Sequence, residues 1–452
     1  MSGWIYLGIE RCGRASVPLL TRLADFVPMW YVRRLSELKL VRTLRHVWRN
    51  APAQRRRWEK AGVTLADIRS PDVLRRLPLM TGDDLAERVE DYFCVPREQL
   101  TEVMSSSGTT GTPKVIYMTP DDVDRQTAMT GAHFRHLPGA TRAMVVVFVR
   151  NPTWTAGRVT STALRKAGMF VVLATSDMSI PEQIALIRKH RVNLIVGGSA
   201  FLHRFVYEAA EDLRDLGVRY LNVGGQGWSE RFRREMEAAW GATVLDGYAS
   251  AESGYGVASE CICRNGLHVA EVDYWLEVVD PDTGEPLPDG TEGEVVFTTL
   301  SRRGMPLVRY RTHDLAHLLP RAKRCPCGVP LRRMSRIRAR TDDLVILGGA
   351  NIYPGEFDAA VLAVPGVTDY QLVIDTDRYK EVLNLTVEAD RIADRPRDVL
   401  IDALLTVPYV KLLYETGKVL SFGRMEVVRR GTLSDGRPKS IRIIDKREHP
   451  TS

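Results

Sequence analysis

Residues 192–245 read VNLIVGGSAFLHRFVYEAAEDLRDLGVRYLNVGGQGWSERFRREMEAAWGATVL. Three short apolar runs, Val192–Val196, Tyr220–Val223 and Thr243–Leu245, alternate with two stretches of helical length, Phe201–Leu213 and Glu230–Trp240. A strand buried on both faces shows no polar alternation, and parallel neighbours need a crossover, usually helical, between them. The stretch therefore predicts βαβ units in a mostly parallel sheet. The same rhythm extends upstream, where Met144–Val149 and Met169–Leu173 predict strands and Pro181–Lys189 a helix.

Outward from this centre the pattern changes. From Leu267 to about Val308, strand-like runs are separated by the turn signals Asp280–Gly284 and Pro288–Gly293, which predicts an antiparallel β subdomain. Beyond Arg340 come an apolar run at Leu344–Leu347, a helix from Glu356, strands at Gln371–Ile374 and Val382–Val387, a helix at Arg397–Leu405 and a β-rich tail. About a hundred residues of this kind form a separate small α+β domain. Toward the N-terminus, residues 1–50 and 52–88 read as helical, with Gly62 and Pro78 as stops. The fold class expected is α/β: a large N-terminal region of mostly parallel sheet with an antiparallel β subdomain, and a small α+β C-terminal domain, mobile if the family resemblance set out below holds. The divisions expected are 1–44 as a helical extension, 45–340 as the large domain and 341–452 as the small one.

The chain has 452 residues, 44% of them hydrophobic and 26% charged, as in ordinary folded proteins. No apolar run reaches the ~18 residues of a membrane span. The short run Trp4–Leu7 is soon broken by Glu10, Arg11 and Arg14 and lacks a secretory core, so a cytoplasmic location is expected. The net charge of +7 is local: residues 1–60 carry +9 and the remainder −2. That excess reads as a solvated arginine-rich helical face, or else as a patch for a partner or a membrane surface. Nothing resembles a nucleic-acid module. Of six cysteines, four form two Cys-x-Cys pairs, Cys261/Cys263 and Cys325/Cys327. In a cytoplasmic protein such pairs favour a metal over disulfides.

The clearest chemical signal is Ser105-Ser106-Ser107-Gly108-Thr109-Thr110-Gly111-Thr112-Pro113-Lys114. Two glycines let the backbone turn its N–H groups inward, hydroxyls add donors, and a lysine supplies positive charge at the exit. That is a cradle for a polyphosphate. It lacks the Lys-Ser/Thr step of a Walker loop and the spacing of a dinucleotide fingerprint.

This loop resembles the phosphate-binding motif of the adenylate-forming superfamily of acyl-CoA synthetases, luciferases and adenylation domains. Four further segments follow in the same order, and the resemblance points to the phenylacetate–coenzyme A ligase branch. Gly224-Gly225-Gln226-Gly227-Trp228-Ser229-Glu230 resembles the segment lining the adenine pocket. Asp246-Gly247-Tyr248-Ala249-Ser250-Ala251-Glu252 resembles the motif whose tyrosine lies by adenine and whose glutamate helps hold Mg2+. Tyr310-Arg311-Thr312-His313-Asp314 carries the aspartate that binds ribose in relatives. Arg336-Ile337-Arg338-Ala339-Arg340-Thr341-Asp342 resembles the hinge into the C-terminal domain, with Asp342 at the pivot and Arg340 near the ribose. In the tail Gly436–Arg447, Lys439 fits the place of the family's adenylating lysine.

The resemblance implies ATP-dependent activation of a small carboxylic acid to its acyl-adenylate, with release of pyrophosphate, then transfer to the CoA thiol. Ser106, Ser107, Gly108, Thr109, Thr110, Gly111, Lys114, Gly225, Gln226, Asp246, Tyr248, Asp314 and Arg340 are the expected nucleotide contacts, Lys439 and Glu252 the catalytic groups, and Glu252 the Mg2+ ligand. Trp154 lies where this branch places aromatic pocket residues, which suits an aryl acid. Cys261, Cys263, His268, Cys325 and Cys327 could hold structural Zn2+. The branch pattern selects Cys261, His268, Cys325 and Cys327. A homodimer is compatible with the sequence.

Several positions depart from the family pattern. Ala249 and Ala251 replace a glycine and a hydroxyl residue, Gln226 a glutamate, and Ala339 a glycine. Gly348 stands where relatives carry arginine in the loop facing the thiol acceptor, and Arg338 or Arg302 are candidates to replace that cation. These departures leave open an acceptor other than CoA, such as an amine or a carrier-protein thiol, or a degenerate nucleotide-binding protein.

Overall fold

The computed structural model describes residues 28–105, 115–147, 156–175, 178–224, 228, 230–254, 256–322, 324–341, 345–347, 350–352, 354–377, 380–390, 392, 395–415, 420–433 and 442–446. The chain divides into two compact units: Met1–Gly225 with Met236–Ile337, and Gln226–Glu235 with Arg338–Ser452.

The larger unit is built on an eight-stranded sheet. Its parallel part runs Thr243–Tyr248, Tyr220–Gly224, Leu194–Gly197, Arg142–Val147, Phe170–Thr175. Val145, Leu194, Ile195, Leu221, Val223 and Val244 are buried, which is why these runs show no polar alternation. The expected strands are all present, with ends shifted by a few residues, and the helix Glu230–Trp240 has the expected bounds. Beyond Tyr248 the sheet turns antiparallel through Ala258–Glu260, Leu267–Val269 and Arg333–Met334. Strands Tyr274–Val279, Gly293–Thr299 and Tyr310–Ala316 form the expected antiparallel layer. A hairpin of Glu102–Ser105 with Val115–Met118 pairs Ser105 opposite Val115.

Two helices on the large sheet start on side-chain caps. Thr119 and Asp122 form a reciprocal capping box at Pro120–Arg135, and Ser179 and Glu182 another at Ile180–His190. Gly131 lets Pro120–Arg135 approach Ala156–Lys166 closely: a Cβ there would fall 2.4 Å from the Ala163 carbonyl oxygen. The helix Met29–Asn50 runs unbroken through residue 44. It is fastened by buried polar bonds: Ser36 Oγ donates to the Glu271 carbonyl (2.7 Å), and Thr43 Oγ1 to that of Leu300 (3.0 Å). Residues 52–88 are less helical than their sequence suggests. Only Pro52–Lys60 and Asp83–Glu87 are α-helical, and the rest is short 3-10 turns and coil. Gly62 in a left-handed conformation (φ 70°), Pro71 and Pro78 break the run at closer intervals than an α-helix tolerates.

The smaller unit has a four-stranded sheet in the order Leu420–Val428, Lys380–Ala389, Val367–Asp377, Ile443–Asp445. Its central pair is antiparallel and both outer pairings are parallel. Helices Pro354–Val361, Pro396–Leu404 and Pro408–Glu415 supply Phe357, Val361, Leu400, Leu404 and Val410 to a core with Tyr370, Leu372 and Leu383. The last of these helices was not anticipated. Arg442, at the foot of the final strand, ion-pairs with Asp358 and Asp369 (2.9 Å each), and the Tyr370 hydroxyl donates to Asp358 (2.8 Å). No described helix is long and apolar enough to cross a membrane.

Candidate active site

The parallel strands end together at Val147, Thr175, Gly197, Gly224 and Tyr248. Strand Arg142–Val147 has Phe170–Thr175 on one side and Leu194–Gly197 on the other, so the chain reverses its winding direction there. Ligands of open α/β sheets bind outside the carboxyl ends of strands at such a switch point.

Three expected residues converge at this edge. Tyr248 ends its strand, and its hydroxyl donates to Asp314 Oδ2 at 2.6 Å. Glu252 follows on the 249–254 loop, and the Tyr310 hydroxyl donates to its Oε1 at 3.4 Å. Tyr248, Asp314 and Glu252 are each buried, with 8–9% of their surface exposed.

Asp314 owes its direction to a β-bulge. Glu294 pairs with Leu315 and Val296 with Arg311, so Val295 stands opposite three residues, Thr312–Asp314. His313 at the centre has a φ of 64°, which costs a non-glycine residue energy unless its surroundings enforce it. They do. The buried Glu294 carboxylate accepts the His313 N–H (2.9 Å) and the Arg311 guanidinium. Thr312 Oγ1 donates to the Val295 carbonyl (2.7 Å) and accepts the Asp314 N–H (3.0 Å). Bulges re-aim side chains in this way beside functional sites.

Asp246 is placed differently from Tyr248. Arg336 Nε donates to its Oδ2 at 2.7 Å, and its own N–H donates to Glu260 Oε2 at 2.9 Å. Arg340 lies on the short strand Ala339–Arg340 in the smaller unit. Ser106, Ser107, Gly108, Thr109, Thr110, Gly111, Lys114, Trp154, Gly225, Gln226, Asp342, Gly348 and Lys439 lie outside the described residues. Strands lead directly to several of them: the paired hairpin flanks 106–114, and Gly224 precedes Gly225.

One expectation is corrected. Arg302 is not a surface cation able to replace the arginine missing at 348. It is buried, and both terminal nitrogens donate to main-chain carbonyls, Nη1 to Glu252 (2.9 Å) and Nη2 to Ser253. Tyr310 and Tyr274, whose hydroxyl donates to the Ser253 carbonyl (2.8 Å), also support the site without having been singled out. Their signal in sequence was only an aromatic among strand residues, which any core strand shows.

A second cluster sits at the antiparallel end of the large sheet. The ligating atoms of Cys261, His268, Cys325 and Cys327 all lie within 4.8 Å of one another. Cys261 Sγ is 3.5 Å from Cys325 Sγ, and Cys327 Sγ is 3.3 Å from His268 Nε2. The edges of a tetrahedral zinc site with these donors are about 3.5–3.8 Å, so the set fits the ion. Burial holds His268 down to about 4, which keeps its ring neutral and able to ligate at neutral pH. Cys263 is exposed and outside the cluster.

Comparison with known proteins agrees with this geometry. Residues 4–301 match the AMP-binding enzyme family, and residues 349–447 the AMP-binding enzyme C-terminal domain. Phenylacetate-coenzyme A ligase of Aromatoleum evansii is 32% identical over 79% of this chain and 81% of its own length. That of Thermus thermophilus is 35% identical over 80% and 83%. A crystal structure of 2-hydroxyisobutyryl-CoA ligase in the postadenylation state superposes with a TM-score of 0.78 at 20% identity, covering 94% of this chain and 91% of that one, which speaks for the fold. The chain belongs to the AMP-binding enzyme family, the adenylate-forming ligases, in its phenylacetate–coenzyme A ligase-like branch.

Proposed function

We propose that this enzyme uses ATP to convert an aromatic carboxylic acid, of arylacetate or aryl type, to its acyl-adenylate, and then passes the acyl group to CoA. The observation that carries the reading is the Tyr248–Asp314–Glu252 constellation at the carboxyl edge of the parallel sheet, in a chain about one-third identical to phenylacetate–CoA ligases.

In the first half-reaction a carboxylate oxygen attacks the α-phosphorus of ATP, the bond to the bridging oxygen breaks, and pyrophosphate leaves. Both reactants are anions, so the protein's task is placement and charge neutralisation. Asp314 accepts the ribose hydroxyls and Tyr248, tied to it, flanks the base. The 106–111 loop with Lys114 receives the phosphates. Glu252 would hold Mg2+, which when bound would supply charge neutralisation at the phosphates, and a single carboxylate beside a triphosphate suits that ion. Lys439 neutralises charge between the carboxylate and the α-phosphate. The nucleophile is already ionised, so no general base is needed. In the second half-reaction the CoA sulfur attacks the acyl carbon, AMP departs, and the thiol proton passes to solvent. Trp154 follows the strand at the switch point and supports an aromatic pocket wall. Cys261, His268, Cys325 and Cys327 hold a structural zinc ion.

The test is ATP–pyrophosphate exchange across a panel of aryl and arylacetic acids, followed by CoA. Exchange that depends on the acid, then thioester and AMP in equal amounts, is expected. No exchange with any acid would sink the reading.

A further inference from the structure

The loop bearing Glu252 has little regular structure, yet it is tightly held. Within it, Ser253 N–H donates to Ser250 Oγ (3.1 Å), Ser253 Oγ to the Ser250 carbonyl (2.8 Å), and the Gly254 N–H to the Ala251 carbonyl (2.9 Å). From beneath, a single guanidinium takes the two carbonyls that bracket its exit: Arg302 donates to Glu252 O and to Ser253 O. Tyr274 gives the Ser253 carbonyl a second donor. The loop closes directly on this cation. A Cβ at Gly254, which has a φ of 84°, would come within 2.7 Å of Arg302 Nη2.

Arg302 is itself immobilised. Asp122, the capping residue of helix Pro120–Arg135, accepts the N–H of Arg303 (2.6 Å) and of Gly304 (2.9 Å). On the other side, Leu300 N–H donates to the Asp273 carbonyl (2.8 Å), and the Ser301 hydroxyl donates to the Asp273 carboxylate. Asp273 is bound in turn by Arg125 (3.0 Å) and lies 3.5 Å from Lys39. The arginine thus stands on a segment pinned at both ends, only 5% exposed, with its fork spent on two peptide oxygens. A buried cation is costly, and its retention needs a reason beyond packing. Holding the Glu252 carbonyl fixes the peptide plane that contains the Glu252 Cα, and holding the Ser253 carbonyl fixes the next one, so the origin of the Glu252 side chain is set. The Tyr310 hydroxyl donates to the carboxylate itself.

We propose that Arg302 is a positioning residue for adenylation: by holding the Glu252 and Ser253 carbonyls it sets where the Glu252 carboxylate meets the metal–nucleotide complex. This rests on the reading of Glu252 as the metal ligand. Groups behind a metal ligand typically govern affinity by about 10–100-fold.

The full-length enzyme is titrated with Mn2+, a paramagnetic substitute for Mg2+, in the presence of α,β-methylene-ATP. Bound metal is read by electron paramagnetic resonance and melting temperature is recorded separately. Arg302→Met is expected to raise the half-saturating Mn2+ concentration by about tenfold or more. Tyr274→Phe, which leaves the charge and removes one donor to Ser253, is expected to raise it less. Arg302→Lys keeps the charge but not the two-pronged geometry, is the safer variant to fold, and is expected to fall between them. Lower melting temperatures with wild-type metal affinity in Arg302→Met, or in Arg302→Lys where the first does not fold, make Arg302 merely structural and overturn the proposal. Glu252→Gln is the control for the underlying reading. Wild-type affinity in that variant removes Glu252 as ligand, and the proposal with it, whatever Arg302 does.

Discussion

Asp273 is a carboxylate with almost no access to water and two cations in reach. Burial alone would raise its pKa. The charges of Lys39 and Arg125, helped by the Ser301 hydroxyl, outweigh that and bring it down to about 2. A carboxyl depressed from about 4 in the unfolded chain contributes about 2 kcal/mol of stability. That contribution is fully present above pH 4 and is lost as pH falls from about 4 to about 2. Asp273→Asn removes the carboxylate beside the buried Lys39 ammonium, so at neutral pH it is expected to cost about 3–5 kcal/mol in denaturant unfolding. It should also flatten the acid limb of the stability profile. An acid limb identical to the wild type's would mean other carboxylates carry it. Asp273 and Arg302 were illegible in the sequence for one physical reason. Ser301-Arg302-Arg303 shows two adjacent arginines with nothing to tell them apart, and only the path of the loop between strands Gly293–Thr299 and Tyr310–Ala316 buries the first and exposes the second. Tyr248, Glu252 and Asp314 were named through the family motifs they resemble, and the structure ties Tyr248 to Asp314 and sets Glu252 against Tyr310.

At the scale of elements, the strands of the parallel sheet could be read from the sequence because burial on both faces writes itself as continuous Val, Ile and Leu. The bulge at Thr312–Asp314 could not. It depends on which residue of the neighbouring strand falls opposite, and His313 carries no sign of its left-handed backbone. Composition also misled over residues 52–88, where helix-favouring residues are overruled by closely spaced prolines and glycines. The cysteine cluster joins elements too short to hold themselves. Arg333–Met334 is a two-residue strand paired to Leu267–Val269, with Arg333 opposite the ligand candidate His268. On the proposed zinc assignment, an ion there would staple the loop carrying Cys325 and Cys327 to the sheet, and its binding energy would be folding energy. Protein prepared without chelator is expected to carry close to one zinc per chain. Cys325→Ser should lose the metal and lower the melting temperature by roughly 5 °C or more, the shift of a ΔΔG of a few kcal/mol in a chain this long. Adenylation by the surviving folded enzyme should change little, because four protein ligands leave a zinc ion no open position for chemistry. Metal analysis that finds no zinc removes this assignment.

For the whole molecule, the division near Ile337/Arg338 gives one enzyme two bodies, and its two half-reactions need different groups at different atoms, the α-phosphorus in the first and the acyl carbon in the second. Lys439 belongs to the small unit, three residues before Arg442, whose pairs with Asp358 and Asp369 anchor the last strand. Asp342 lies just past the division. If one domain serves both steps by turning about Asp342, the two half-reactions must respond separately to changes at these positions. Lys439→Ala removes a positioned charge from the first transition state, and acid-dependent pyrophosphate exchange should fall by at least ~10²-fold. Chemically prepared acyl-adenylate should still discharge to CoA at close to the wild-type rate, because that step makes no use of the lysine. Asp342→Pro is the converse. Proline fixes φ near −65° and removes an N–H, so it stiffens a pivot without altering the nucleotide contacts. Exchange should remain within about threefold of wild type, while single-turnover thioester formation slows by about tenfold or more, as expected where a domain motion gates the step. The pairing is what gives the test its force, since a variant that merely unfolds slows both steps together. Two variants that each slow both half-reactions equally would refute the shared use of one domain and assign Lys439 and Asp342 to stability.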